Sequence, residues 1–180
     1  MFKDKLNMNK KETVFSTPWF QIVSKYTGSA SPYYVLEASD CVTILCVSDE
    51  QEVLLVRQYR PTLDQETIEL PSGHIEDNET PERAARRELL EETGYYADDL
   101  ELMGVIATDT GRLGNKLWCY FASNAVRKSN ASDKEVIELI KWKPEFLMEQ
   151  IKDGKIIHAQ DLALLFLAAQ RGKFIINAKG

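Results

Sequence analysis

The segment "RRELLEET", residues 86–93, carries three glutamates whose spacing suits chemistry as much as structure. On a helix, Glu88, Glu91 and Glu92 stand three and four residues apart, so their carboxylates share one face. Like charges so placed repel by roughly 0.2–0.5 kcal/mol per pair, and the face calls for a counter-charge. An all-oxygen cluster of this kind suits Mg2+, with Mn2+ as a substitute, rather than zinc. Such an ion keeps several waters, reaches phosphate oxygens through one or two carboxylates, and lowers the pKa of a bound water. Arg87 can fork onto a neighbouring carboxylate and hold it in place. Taken alone, an acidic helix is more simply a solvated face laced with Arg–Glu pairs. The flanking residues decide between the two.

Thr80 supplies an N-cap, Pro81 fits the first helical position and Gly94 is a good residue just past the end, which predicts a helix from Pro81 to about Thr93. Before it, "TIELPSG" reads as a short strand ending at Pro71 and Gly73, followed by the polar loop "HIEDNE". "CVTILCV" and "VLLVRQY", separated by "SDEQE", read as a hairpin of strands buried on both faces and therefore central. "LELMGVIAT", "KLWCYFAS" and "VIELIKW" follow as strands, with helices expected from Pro144 to about Lys152 and from Ala159 to Arg171. The methionines and "LALLFLAA" read as core packing. From Thr13 to Tyr26 and through "GSASPYYVLEA", turn residues separate strand-like runs into a two- or three-strand unit too small to be stable alone. The order of elements predicts an α/β fold: helices layered on a mixed sheet, plus a small N-terminal β-strand unit.

The chain has 180 residues, 44% of them hydrophobic, with a net charge of -6, the profile of an ordinary globular domain with a small appendage. Its Lys and Arg residues are scattered, so no track for a nucleic-acid backbone is expected, and any phosphate must be met by local positive charge. Cys41, Cys46 and Cys119 lie in apolar runs without a CxxC, which reads as buried, reduced thiols in a cytoplasmic protein. The start lacks an apolar stretch behind its basic residues, and "LALLFLAA" is too short to span a bilayer. No membrane association is expected.

Set in context, the acidic helix becomes part of a longer pattern: Gly73, Glu79, Arg87, Glu88, Leu89, Glu91, Glu92 and Gly94. Leaving Leu89 aside, seven fixed residue types at about 5–7% each arise by chance on the order of 10⁻⁹ per starting position. The pattern resembles the signature of the Nudix hydrolases, which cleave a nucleoside diphosphate linked to another moiety. Tyr95 stands where that family usually has an aliphatic residue, and an aromatic ring can fill the same apolar slot. The resemblance implies a Nudix α/β/α sandwich over residues 40–180. It also implies a metal held by Glu88, Glu91, Glu92 and the Ser72 carbonyl, with Glu79 within reach.

Outside this box, "TPWF", "PYYVLEA", "VLLVRQYRP" and "DGKI" look like the ADP-ribose and nucleoside-diphosphate-sugar pyrophosphatases of the family. That likeness implies an N-terminal unit, residues 1–39, exchanged between the subunits of a homodimer. It gives Arg60 a substrate contact, with Arg57 its neighbouring candidate. Asp109, Arg112 and Asn115 lie on the loop "TDTGRLGNK", where Arg112 and Asn115 are candidates for phosphate or sugar. Thr110 departs from the proline of ADP-ribose-specific enzymes and the tyrosine of diadenosine-polyphosphate enzymes, which leaves the substrate label open. A late carboxylate often supplies the base or a further metal ligand in this group; Glu135 is the first candidate and Asp133 the second, with Glu138 read as solvent-facing. Trp19, Phe20, Tyr33 and Tyr34 could stack on a base but are more often core, and His74 and His158 read as surface or capping residues. The expected activity is Mg2+-dependent hydrolysis of a sugar nucleotide to a nucleoside monophosphate and a sugar phosphate. A triphosphate pyrophosphatase and a non-catalytic nucleotide sensor are the alternatives.

Overall fold

A computed structural model describes residues 11–26, 28, 31–128 and 138–174. They fall into two compact units, one of residues 1–40 with 106–117 and one of residues 41–105 with 118–180. In the first, β1 (Lys11–Ser16), β2 (Phe20–Lys25) and β3 (Tyr33–Ala38) form an antiparallel sheet in that order. Thr17 closes the β1–β2 turn by accepting the amides of Trp19 and Phe20 on its hydroxyl. The 106–117 segment lies along β3: Leu36 N–H donates to the Arg112 carbonyl at 2.9 Å and Gly114 N–H to the Leu36 carbonyl at 2.9 Å. The predicted three-strand unit is present, and it takes in this later loop as well.

The second unit is built on an eight-stranded sheet. Its spine runs β11 (Glu138–Trp142), β5 (Val53–Arg60), β4 (Cys41–Ser48), β10 (Lys116–Arg127), β8 (Tyr95–Tyr96). β6 (Gln65–Glu69) pairs with β5, β7 (Ser72–His74) with β4, and β9 (Leu100–Ala107) with β10. As their continuous apolar runs predict, β4 and the first half of β5 are buried on both faces.

Helix α1 (Pro81–Thr93) has the predicted bounds, and its caps show why. Thr80 Oγ1 accepts the Arg83 amide at 3.3 Å, and Gly94 takes φ +73°, its N–H donating to the Leu90 carbonyl. Ala84, Ala85, Leu89 and Thr93 are buried; the first three pack with Val42, Ile44, Cys46, Leu54, Tyr120 and Ala122 of the sheet. Because strand side chains alternate, Leu45 and Cys119 face the opposite side, where α3 (Ala159–Gln170) lies against β4. The central strands are thus sandwiched between α1 and α3, and α2 (Pro144–Lys152) follows β11 with Phe146 edge-on to Trp142. The last helix is not wholly core: Leu164, Leu165 and Ala168 are buried, but Leu162 and Phe166 are exposed, since a helix on a sheet buries one side only.

Candidate active site

The carboxylate face of α1 meets β7, and the cation it calls for lies within the same helix. Arg87 Nη1 is 2.7 Å from Glu88 Oε1 and 3.2 Å from Glu91 Oε2, while Nε and Nη2 fork onto Glu79 at 3.1 and 2.9 Å. Nη2 also donates to the His74 carbonyl at 2.9 Å, so the guanidinium ties helix, preceding loop and strand together. These bonds hold the Glu79 carboxyl below the usual range and push the guanidinium further into its charged form. Glu79 also accepts the Glu76 amide at 3.1 Å, which shapes the loop entering the helix.

Gly73 is required by close approach rather than by φ. A Cβ there would lie 2.1 Å from Glu88 Oε1, so the carboxylate is seated where any side chain would stand. β7 runs in register with β4, with Val42 opposite Gly73 and Thr43 opposite Ser72. Glu92 Oε2 accepts the Ser72 amide at 2.8 Å. Glu88, Glu92 and the Ser72–Gly73 peptide therefore meet at one place. Among the described residues no three His, Cys, Asp or Glu side chains close into a metal cage. Oxygen donors that leave coordination positions to water and phosphate fit a hard divalent ion, which needs no full protein shell.

Behind β7 lies a second charged cluster. Glu69, with its side chain 4% exposed, accepts both arms of Arg60 and the Thr67 hydroxyl. His158 Nδ1 is 3.8 Å from Glu69 and 3.1 Å from Asp161 Oδ1, and Asp161 Oδ2 accepts the Leu70 amide at 3.0 Å. His158 sits at the cap position of α3 as expected, but its ring engages two carboxylates. The Arg60 charge is also felt by Glu92.

Arg57 pairs with Glu138 across β5 and β11 at 2.9 Å, with the Glu138 side chain 60% exposed. Arg112 lies over the Tyr33 ring, 6.0 Å from its centroid, in the first unit, where Tyr33 also bonds the Gly111 carbonyl. Asn115 lies on the same 106–117 segment. Asp133 and Glu135 lie outside the described residues. Cys46 and Cys119 are buried, with burial pushing both thiols up to about 12. Cys41 corrects the expectation of three buried thiols: it opens β4 at the rim, partly exposed, with Sγ 3.3 Å from His74 Nδ1. Sequence reasoning missed Glu69 and Asp161. Their signal was weak: His158 read only as a surface or capping residue, and neither carboxylate belongs to a spacing pattern that would single it out.

Two predictions follow from this geometry. Gly73→Ala should leave the fold intact but displace Glu88, lowering metal affinity by about 10–100-fold in a Mn2+ titration; unchanged affinity would contradict the seat described for Glu88. The second concerns pH. Burial pushes the Glu69 carboxyl up, but hydrogen bonds from Arg60 and Thr67 and the charges of Arg60 and His158 leave it below its ordinary 4.5. Glu69 and Glu79 therefore stabilise the fold above about pH 4.5, and that stability is lost as pH falls through their lower folded values. The hydrogen bond to Asp161, with the charges of Asp161 and Glu69, lifts His158 above 6.5, and burial lifts Asp161 above 3.8. This pair binds its proton more tightly folded than unfolded, so the His158 contribution is full below 6.5 and is lost as pH rises through the folded value. Melting temperature measured against pH should peak between 4.5 and 6.5, and His158→Gln should flatten the alkaline decline.

Comparison with known proteins identifies the family. The NUDIX domain model matches residues 39–163. The chain is 29% identical over 147 residues to the methanol dehydrogenase activator of Bacillus methanolicus, an alignment covering 79% of this chain and 80% of the relative. It is 28% identical over 157 residues to the ADP-ribose pyrophosphatase of Bacillus subtilis (strain 168), covering 83% and 85%. The fold matches a crystal structure of an ADP compounds hydrolase with a TM-score of 0.75 at 23% identity, covering 91% of this chain and 94% of the other. With its carboxylate helix seated on Gly73 and the family model spanning most of its length, the chain belongs to the Nudix family and is a Nudix hydrolase.

Proposed function

We propose that this hydrolase splits the pyrophosphate bond of a nucleoside diphosphate sugar, of the ADP-ribose, ADP-sugar or GDP-sugar type, in a Mg2+-dependent reaction that yields a nucleoside monophosphate and a sugar phosphate. The observation that carries the proposal is the box itself, in which Glu88 and Glu92 converge on the Ser72–Gly73 peptide under the control of Arg87. Glu88, Glu91, Glu92 and the Ser72 carbonyl would hold the ion, which when bound neutralises the pyrophosphate oxygens and makes an attacking water more acidic. Arg87 orients Glu88 and Glu91 so that their oxygens need not reorganise when substrate arrives. Arg60, held flat by Glu69 and electrostatically coupled to Glu92, supplies positive charge for a phosphate, and Arg57, Arg112 and Asn115 are further substrate contacts. Glu135, or Asp133 in its place, is the carboxylate we assign to take the proton of the attacking water.

Relatives that bear the name ADP-ribose pyrophosphatase support a sugar-nucleotide substrate. The relative named as an activator invites a regulatory reading, but a sensor that never cleaves has no need of Glu88, Glu91 and Glu92, and all three are present. The buried free thiols favour a reducing compartment, and we place the enzyme in the cytoplasm; among the described residues no helix is long and apolar enough to cross a membrane.

The test is a Mg2+ reaction with ADP-ribose, ADP-glucose, GDP-mannose, UDP-glucose and nucleoside triphosphates, with products separated. We expect turnover of a sugar nucleotide, and a loss above about 100-fold in Glu92→Gln, beyond what removing an outer partner of a metal costs. Turnover of triphosphates alone would reject the substrate class, and an active, folded Glu92→Gln would reject the mechanism.

The N-terminal sheet suggests the assembly. All six residues of β1 are exposed, Phe15 among them at 52%, as is Trp19 at 75% in the turn that follows, and these apolar side chains ask for a cover. We propose that a second copy supplies it, making a homodimer with exchanged N-terminal strands. Light scattering should give a dimer mass for the wild type and a monomer for Phe15→Ser/Trp19→Ser; a monomeric wild type would refute the dimer.

A further inference from the structure

The Leu70–Pro71–Ser72 segment delivers β7 to the site, and its polar backbone groups are held from both sides. Pro71 has no N–H to give, so the segment has two amide donors, and each goes to a carboxylate rather than to a neighbouring strand. Ser72 N–H donates to Glu92 of α1 at 2.8 Å, and Leu70 N–H donates to Asp161 of α3 at 3.0 Å. Between them the Pro71 carbonyl accepts the Ile44 amide at 2.9 Å. Asp161 is 1% exposed, and a carboxylate buried so deeply is costly unless its partners are well placed.

One of those partners is His158, whose Nδ1 lies 3.1 Å from Asp161 Oδ1 and 3.8 Å from Glu69 Oε2. Glu69 holds Arg60. A continuous polar chain therefore runs from the Leu70 amide through Asp161, His158 and Glu69 to the Arg60 guanidinium, with its anchor on the first turn of α3.

We propose that Asp161 and His158 are positioning residues of the active site: Asp161 holds the Leu70 amide and with it the segment that leads to the Ser72 carbonyl, and His158 steadies Glu69 and through it Arg60. Neither touches substrate. The inference rests on the roles given to Ser72 and Arg60 under the proposed function, and it predicts a division of labour between two adjacent residues. Asp161→Asn keeps the shape and one acceptor oxygen but loses the charge that His158 answers. His158→Gln keeps a donor toward Asp161 and loses the ring that reaches Glu69.

The experiment uses the full chain. Mn2+ binding is followed by electron paramagnetic resonance, and KM and kcat are measured on the sugar nucleotide that the wild type turns over fastest. Melting temperature is recorded beside them. Asp161→Asn should weaken Mn2+ binding about tenfold, and His158→Gln should raise KM about tenfold while Mn2+ affinity stays within about twofold. Arg60→Ala should raise KM, and because it removes a positive charge coupled to Glu92, Mn2+ affinity should not fall. A role in folding alone would lower melting temperature with both constants unmoved, and that result overturns the inference. Should Asp161→Asn fail to fold, His158→Gln decides alone, its ring being partly exposed. Glu92→Gln separates the two levels: if it retains turnover the proposed function has failed, whereas if it is inactive and the α3 variants bind and turn over normally, only the positioning role has failed.

Discussion

Everything at the site depends on one partly buried cation-to-carboxylate arrangement, the guanidinium of Arg87 among Glu79, Glu88 and Glu91. Without it, the glutamates of α1 would repel along one face, and the loop from His74 to Glu79 would have no fixed relation to the helix. The planar fork suits the task because its donors diverge: Nε and Nη2 face Glu79, Nη2 also reaches the His74 carbonyl, and Nη1 reaches Glu88 and Glu91. A lysine would supply the charge but not this set of directions. The arrangement also explains why Gly73 is a glycine, since Glu88, once pulled into place by Arg87, occupies the space of a side chain on β7.

Much of this was legible in the sequence because it is local or periodic. Thr80, Pro81 and Gly94 mark the ends of α1 through capping chemistry that acts within four residues. The continuous apolar runs of β4 and β5 mark them as central, and the spacing from Gly73 to Gly94 marks the box. The second cluster was not legible in the same way. Arg60 meets Glu69 only because β5 and β6 form a hairpin in one register, with Arg60 opposite Gln65 and Val56 opposite Glu69. Asp161 meets Leu70 across 91 residues of chain, and only the seating of α3 on the sheet makes that contact. Long-range contacts between polar side chains leave no period to read. The apolar run of α3 misled in a related way, since composition shows that a helix has an apolar side without showing that Leu162 and Phe166 lie off it.

The candidate residues belong to two compact units. The glutamates, Arg87, Ser72, Gly73 and Arg60 all belong to the unit built on the eight-stranded sheet. Under the proposed function they would meet what every nucleoside diphosphate compound shares, a pyrophosphate and its metal. Arg112, Asn115 and Thr110 belong to the other unit, on a segment hydrogen-bonded along β3 and capped by Tyr33. That segment's backbone is held by the Leu36 contacts, by the Gly111 amide on Asp109 Oδ1 and by the Leu113 amide on the Asp109 carbonyl, and the exposed Thr110 side chain takes no part in these bonds.

This separation gives physical meaning to the departure at Thr110. In the cutting unit, a changed residue must satisfy Arg87, Glu88 and the β7 backbone together, and few substitutions can. On the 106–117 segment, the backbone pairing between Leu36, Arg112 and Gly114 does not depend on which side chain stands at position 110. Under the proposed function, position 110 can therefore change with the substrate while the box residues, fixed by their mutual contacts, keep the chemistry.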